Sequence, residues 1–151
     1  MLFFFVVLIS FGFLRTGQSF GWIDGQGAEA LPILALGIGF FCTGIEHFVI
    51  AENYERMLPL KMPQKRLLVY ASALLRVLCG IGVWFSPTCA PSVIMTLVLL
   101  ILVVPVNVRV AVKQDCPGAL LSAPWYLWFR VLLHAGWLAW TGWCCVLLKR
   151  I

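Results

Sequence analysis

The sequence predicts an all-α protein, a multi-pass transmembrane helical bundle of four core helices with a fifth at the N-terminus. Three observations carry this expectation. The 151 residues are 62% hydrophobic and only 11% charged, whereas a soluble domain is about 45–50% apolar and about 25% charged. The chain contains four apolar runs of roughly the 20 residues that a helix needs to cross a bilayer. Those runs are separated by short segments rich in proline and polar residues. A soluble fold of this size could not bury so much apolar surface, so the excess is expected to face lipid.

The four core spans are read at residues 31–51, 67–85, 92–112 and 124–148. Pro59 and Pro63 mark a polar connection after the first. Pro87 and Pro91 bracket the connection after the second, which is so short that its two helices must be antiparallel neighbours. Asp115-Cys116-Pro117-Gly118 marks the connection after the third, and Pro124 suits the first turn of the fourth. Residues 1–20 admit two readings. Met1–Leu14 is an apolar run stopped by Arg15, as in a signal peptide, yet no basic region precedes it and no A-x-A site follows it. We retain it as an N-terminal transmembrane helix, with Arg15 reaching to the interface. The domains are therefore 1–20, an N-terminal span, and 31–148, a four-helix transmembrane domain.

Net charge is +5, from eleven Lys and Arg against six Asp and Glu. The basic residues scatter over loops and helix ends rather than forming a stripe, which argues against nucleic acid as a partner and for membrane lipid. Arg56, Lys61, Lys65, Arg66 and Lys113 fall on one side of the membrane, and Arg15, Lys149 and Arg150 on the other. That count places the 52–66 connection inside. Five tryptophans crowd the last span, and those near its ends read as an interfacial belt. The cysteines Cys42, Cys79, Cys89, Cys116, Cys144 and Cys145 show no C-x-x-C spacing. Most lie in apolar runs and read as small apolar residues. Cys89 and Cys116 read as lying in connections, at opposite ends of one helix.

Polar residues within apolar spans are expensive in lipid and each requires a reason. Glu46 and His47 stand near the end of the first core span, Arg76 near the middle of the second, Asn107 in the third, and Arg130 and His134 in the fourth. At about 1.5 Å per residue, all six fall toward one leaflet, with Tyr54 just beyond it. Arg130 and His134 share a helix face. Ala35, Gly39, Thr43, His47 and Ala51 form an i, i+4 stripe of mostly small residues, which places His47 on a packing face. Two readings stand: a polar pocket for a headgroup, a quinone or another amphipathic ligand, and an internal hydrogen-bond network that fixes helix packing. Glu46 and Arg76 are expected to form an intramembrane ion pair, since pairing relieves both charges. No spacing points to a metal or haem, and no catalytic residues are assigned.

In this order the motifs resemble the DoxX-like membrane proteins over residues 31–143. Thr43-Gly44-Ile45-Glu46-His47-Phe48 is similar to the family's G-x-x-H-F. Tyr54, Leu58-Pro59 and Met62-Pro63 resemble its Y-x-x-x-x-P-x-x-x-P linker. Leu68-Val69-Tyr70-Ala71-Ser72 and Gly80-Ile81-Gly82 follow. Val104-Pro105-Val106-Asn107-Val108 resembles F-P-A-N-I, and Trp128-Phe129-Arg130 with Leu133-His134 resembles L-W-x-R-x-x-x-Q. The sequence departs from the pattern at Arg76, where the family carries an acid, at His134, where it carries Gln, and at Glu46, where it is uncharged. The resemblance implies a bacterial inner-membrane protein. Two functions follow as expectations: a non-catalytic accessory subunit or binder of a lipid or quinone-like ligand, and a membrane subunit of a thiosulfate:quinone type of oxidoreductase with a redox partner protein. It admits a quinone as ligand and implies no other cofactor. Four-helix members keep both termini in the cytoplasm, which opposes the charge count and leaves orientation open.

Overall fold

The computed structural model describes residues 2–21, 27, 29–58, 63–113 and 124–149. Among these the chain forms six α-helices and no strand: α1 (Leu2–Ser19), α2 (Leu31–Val49), α3 (Ala51–Met57), α4 (Lys65–Gly82), α5 (Ser86–Lys113) and α6 (Pro124–Leu147). Leu31–Val49 and Ser86–Val112 are long and apolar enough to cross a membrane. The other long helices are more mixed. Helix α4 carries Lys65, Arg66 and Arg76, and α6 carries Arg130, His134 and five tryptophans.

Two boundaries differ from expectation. The connection after α2 contains a further helix, α3, entered through a break at Ile50 (φ −115, ψ 37). Glu52 in its first turn and Arg56 in its last suit the helix dipole. The second difference concerns Pro87 and Pro91, which lie inside α5 and not in the loop before it. Pro87 falls in the first turn, where a missing N–H costs no helical bond, whereas Pro91 lies a turn further in and removes the donor to the Pro87 carbonyl. The true connection is the Val83–Phe85 turn, tied down by the Thr88 hydroxyl, which donates to the Gly82 carbonyl at 2.7 Å. Cys89 therefore sits on a helix, packed against the apolar cluster that contains Cys144. All five described cysteines are free thiols. Pro59, Lys61, Met62, Asp115, Cys116, Pro117, Gly118 and Arg150 lie outside the described residues.

Helices α2 and α4 touch backbone to backbone. A Cβ on Gly80 would lie 2.6 Å from the Phe41 nitrogen and 2.9 Å from the Gly37 carbonyl oxygen, and one on Gly44 would lie 2.9 Å from the Val77 nitrogen. Only glycine permits that approach. The Ala35–Gly39–Thr43–His47–Ala51 stripe is buried along its whole length, with Gly39 against Val7 of α1. One apolar cluster joins five helices through Val7, Phe40, Cys79, Leu100 and Trp137. A second, built on Ile33, Leu36, Val83, Val93, Cys144 and Leu147, closes the end where α2 begins and α6 finishes. The outward faces stay apolar. On α5, Ile94, Val98, Ile101, Leu102 and Val112 are all exposed.

Candidate functional site

The end of the molecule opposite the second cluster contains a cavity of about 110 Å³. It is lined by Thr43 and His47 from α2, Tyr54 from α3, Arg76 from α4, Leu100, Val103 and Asn107 from α5, and Arg130, Leu133, His134 and Trp137 from α6. Each side chain arrives there for a local reason. The break at Ile50 turns α3 back over the end of α2, so the Tyr54 ring stacks on His47 with centroids 3.7 Å apart and planes 14° apart. The Tyr54 hydroxyl then donates to Glu46 Oε2 at 3.0 Å. Burial, and then the Glu46 carboxylate, push the Tyr54 phenol above its ordinary range, so it stays protonated as the donor.

Both histidines are held by backbone. His47 Nδ1–H donates to the Thr43 carbonyl at 2.8 Å, and His134 Nε2–H donates across to the Leu100 carbonyl at 2.8 Å. A neutral imidazole whose one nitrogen donates keeps the other as an acceptor, so His47 Nε2 and His134 Nδ1 are left as acceptors. Pro105, which has no N–H, leaves the Ile101 carbonyl, the next after that of Leu100 along α5, without its helical donor. On α6, Arg130, His134, Trp137 and Thr141 follow i, i+4, i+7, i+11 and lie on one face; Thr141 is fully buried.

The charges are less well matched. Arg76 is only 4% exposed, and its Nε has no hydrogen-bond partner among the described residues. Its guanidinium lies over the Phe40 ring, 5.4 Å from the centroid. Arg130 donates from Nη1 to the Met57 sulfur at 3.2 Å, a weak acceptor. Asn107 Oδ1 and Trp137 Nε1 are also buried without partners.

Of the residues singled out in the sequence, His47, Tyr54, Arg76, Asn107, Arg130 and His134 line this cavity, and Glu46 reaches it through Tyr54. The expected Glu46–Arg76 ion pair is corrected. The ion pair found among the described residues is Arg66–Glu55, 3.6 Å apart on the surface. Glu46 lies about 100° around α2 from His47, off the face that meets Arg76, and Tyr54 takes its carboxylate. Its field still reaches both Arg130 and Arg76. Sequence reasoning missed Trp137 and Phe40 as site residues. Trp137 read as one of many tryptophans, though its seven-residue spacing from Arg130 places it on the same face. Among the described residues no group of three or more His, Cys, Asp and Glu could hold a metal ion.

Residues 36–145, most of the chain, match the family described as a domain of unknown function, DUF8561. The chain belongs to the DUF8561 family. In this DUF8561 protein the matched segment starts within α2 and ends within α6, so every residue lining the cavity falls inside it. No curated protein and no solved structure matches the chain.

Proposed function

We propose that this DUF8561 protein is a DoxX-like, multi-pass protein of the bacterial inner membrane. In this reading α2, α4, α5 and α6 form the four-helix core and α1 is the fifth span. Its function is that of a non-catalytic binder, holding a lipid or quinone-like amphipath in the polar cavity, alone or as the accessory subunit of a partner protein. The observation that carries the reading is the placement of the cavity. Polar side chains from five helices turn inward on it, while the outer faces present Leu74 and Leu78 on α4, Ile101 and Leu102 on α5, and Leu132 and Val146 on α6. An apolar exterior around a polar interior is the arrangement that lipid favours. The wall residues Leu100, Val103 and Leu133 suit the carbon chain of an amphipath.

The protein should remain in the membrane pellet through high-salt and carbonate washes. Mass spectrometry of protein purified in mild detergent should find a near-stoichiometric amphipathic small molecule. Recovery as a soluble monomer would end the membrane reading. Purification with a tightly bound redox subunit, and turnover of a quinone by the pair, would replace the binder reading with that of an oxidoreductase subunit.

A further inference from the structure

The cavity gathers more positive charge than the surrounding side chains answer. Arg76 and Arg130 both reach it. Glu46 is the acid whose field acts on them, but it does not line the cavity and its carboxylate accepts from Tyr54. Arg76 carries five donors on a side chain more than nine-tenths buried. It takes part in no hydrogen bond or ion pair among the described residues, and its contact is with the face of Phe40. A ring face attracts a guanidinium but accepts none of its N–H groups in the planar fork that suits an oxyanion. Arg130 commits one N–H to a thioether. Trp137 adds a buried indole N–H, a donor that can only donate, with no partner. Three donor groups from α4 and α6 thus converge on one space, two of them permanently cationic.

We propose that the cavity binds one phosphate group, free or on a lipid, seated between Arg76 and Arg130 with the Trp137 indole donating a third hydrogen bond. This rests on the reading of the cavity as a ligand site and names the chemistry of its ligand. A neutral carbonyl would satisfy one or two N–H groups and leave both charges uncompensated, which is the expensive part of burying a guanidinium. A phosphate answers charge and geometry together, because it accepts from a guanidinium fork in bidentate fashion. The space suffices, since about 110 Å³ is several times the roughly 10–15 Å³ in which one water fits on the same measure.

The test uses the full chain in a neutral detergent and reads its unfolding temperature against four probes: inorganic phosphate, dihexanoyl phosphatidylglycerol, neutral dihexanoylglycerol and a short-chain quinone. Saturable stabilisation is expected with the phosphatidylglycerol and not with the two neutral probes. Inorganic phosphate binding as tightly as the lipid identifies a free anion as the ligand, and binding at least about tenfold weaker identifies a lipid headgroup. Either result supports the proposal. Arg130→Gln should weaken the response about tenfold or more, the loss expected for a hydrogen bond to a charged group. Arg76→Gln should do the same. Arg130 is only part-buried, so its variant carries the test if the Arg76 variant does not fold. Equal stabilisation by neutral and anionic probes, or an unchanged response in Arg130→Gln, overturns the anion assignment and leaves the binder reading standing. No saturable response to any of the four probes overturns both.

Discussion

Where α2 begins and α6 finishes, Ile33, Leu36, Val83, Val93, Cys144 and Leu147 close on one another without a buried charge. Nearby, Gly37 and Gly80 bring two helix backbones into contact. At the other end the same helices surround a space, and the side chains facing it include a buried guanidinium, an amide oxygen and an indole N–H that the protein leaves without partners. The first end buries an apolar cluster of the kind that stabilises a helical protein in any solvent, and the space beside it, lined by Ile33, Leu34, Val83, Cys89 and Leu148, contains no charged side chain. The second carries groups whose burial lowers stability, the kind of local inconsistency expected where a site is kept for function. On the proposed reading, stability and binding fall at different ends of one set of helices, and each half of that contrast can be broken separately.

The largest effect is expected at the closed end. Leu36 is 1% exposed, and Leu36→Ala should lower unfolding free energy in detergent by about 3 kcal/mol through the cavity it leaves. A loss below about 1 kcal/mol would show that this end is loosely packed. Gly80→Ala should come next, at about 2 kcal/mol, because the added methyl meets backbone atoms that cannot rotate away. Gly142 provides the control, since a Cβ there meets nothing within 4 Å. Gly142→Ala should be neutral or slightly stabilising by helix propensity, and similar losses at both glycines would show that close approach is not the reason for Gly80.

Smaller effects are expected around the cavity. Tyr54→Phe removes the hydroxyl that donates to Glu46 but keeps the ring on His47, so about 1 kcal/mol should be lost. Near-zero loss would mean that the stacked ring, not the hydrogen bond, holds α3 in place. Asn107→Leu should cost nothing or raise stability slightly, since it removes a buried oxygen without a partner. The same change should weaken binding of whatever ligand the cavity holds. A clear loss of stability in Asn107→Leu would show that the polar end is a structural network, and the contrast between the two ends would fall.

The expectation of a polar cluster drew on depth and helical phase, which are properties of the sequence. Arg130 and His134 are four residues apart, and their shared face follows from 3.6 residues per turn. Rotation of one helix against another is not such a property, and there the expectations failed. Glu46 and Arg76 match in depth and charge, yet α2 turns Glu46 away from α4, and Tyr54 intervenes. Tyr54 can do so only because Ala51–Met57 is helical, and an isolated seven-residue helix does not persist without tertiary contacts. Pro87 and Pro91 read as breaks because their signal is local, while the helix starts before both, with Pro87 in its first turn and Pro91 a turn further in.

What the amino-acid order determined by itself is the helical class, the approximate extent of five long helices and the set of polar residues too costly to bury without a reason, because each follows from short-range periodicity and from transfer free energies summed along the chain. Only the tertiary structure decided that α2 and α4 meet at Gly37, Gly44 and Gly80, that α3 caps the site, and that Arg76 faces Phe40 and a cavity in place of a carboxylate. Those facts depend on which faces of separate helices meet, and that is set by the packing of side chains distant in sequence.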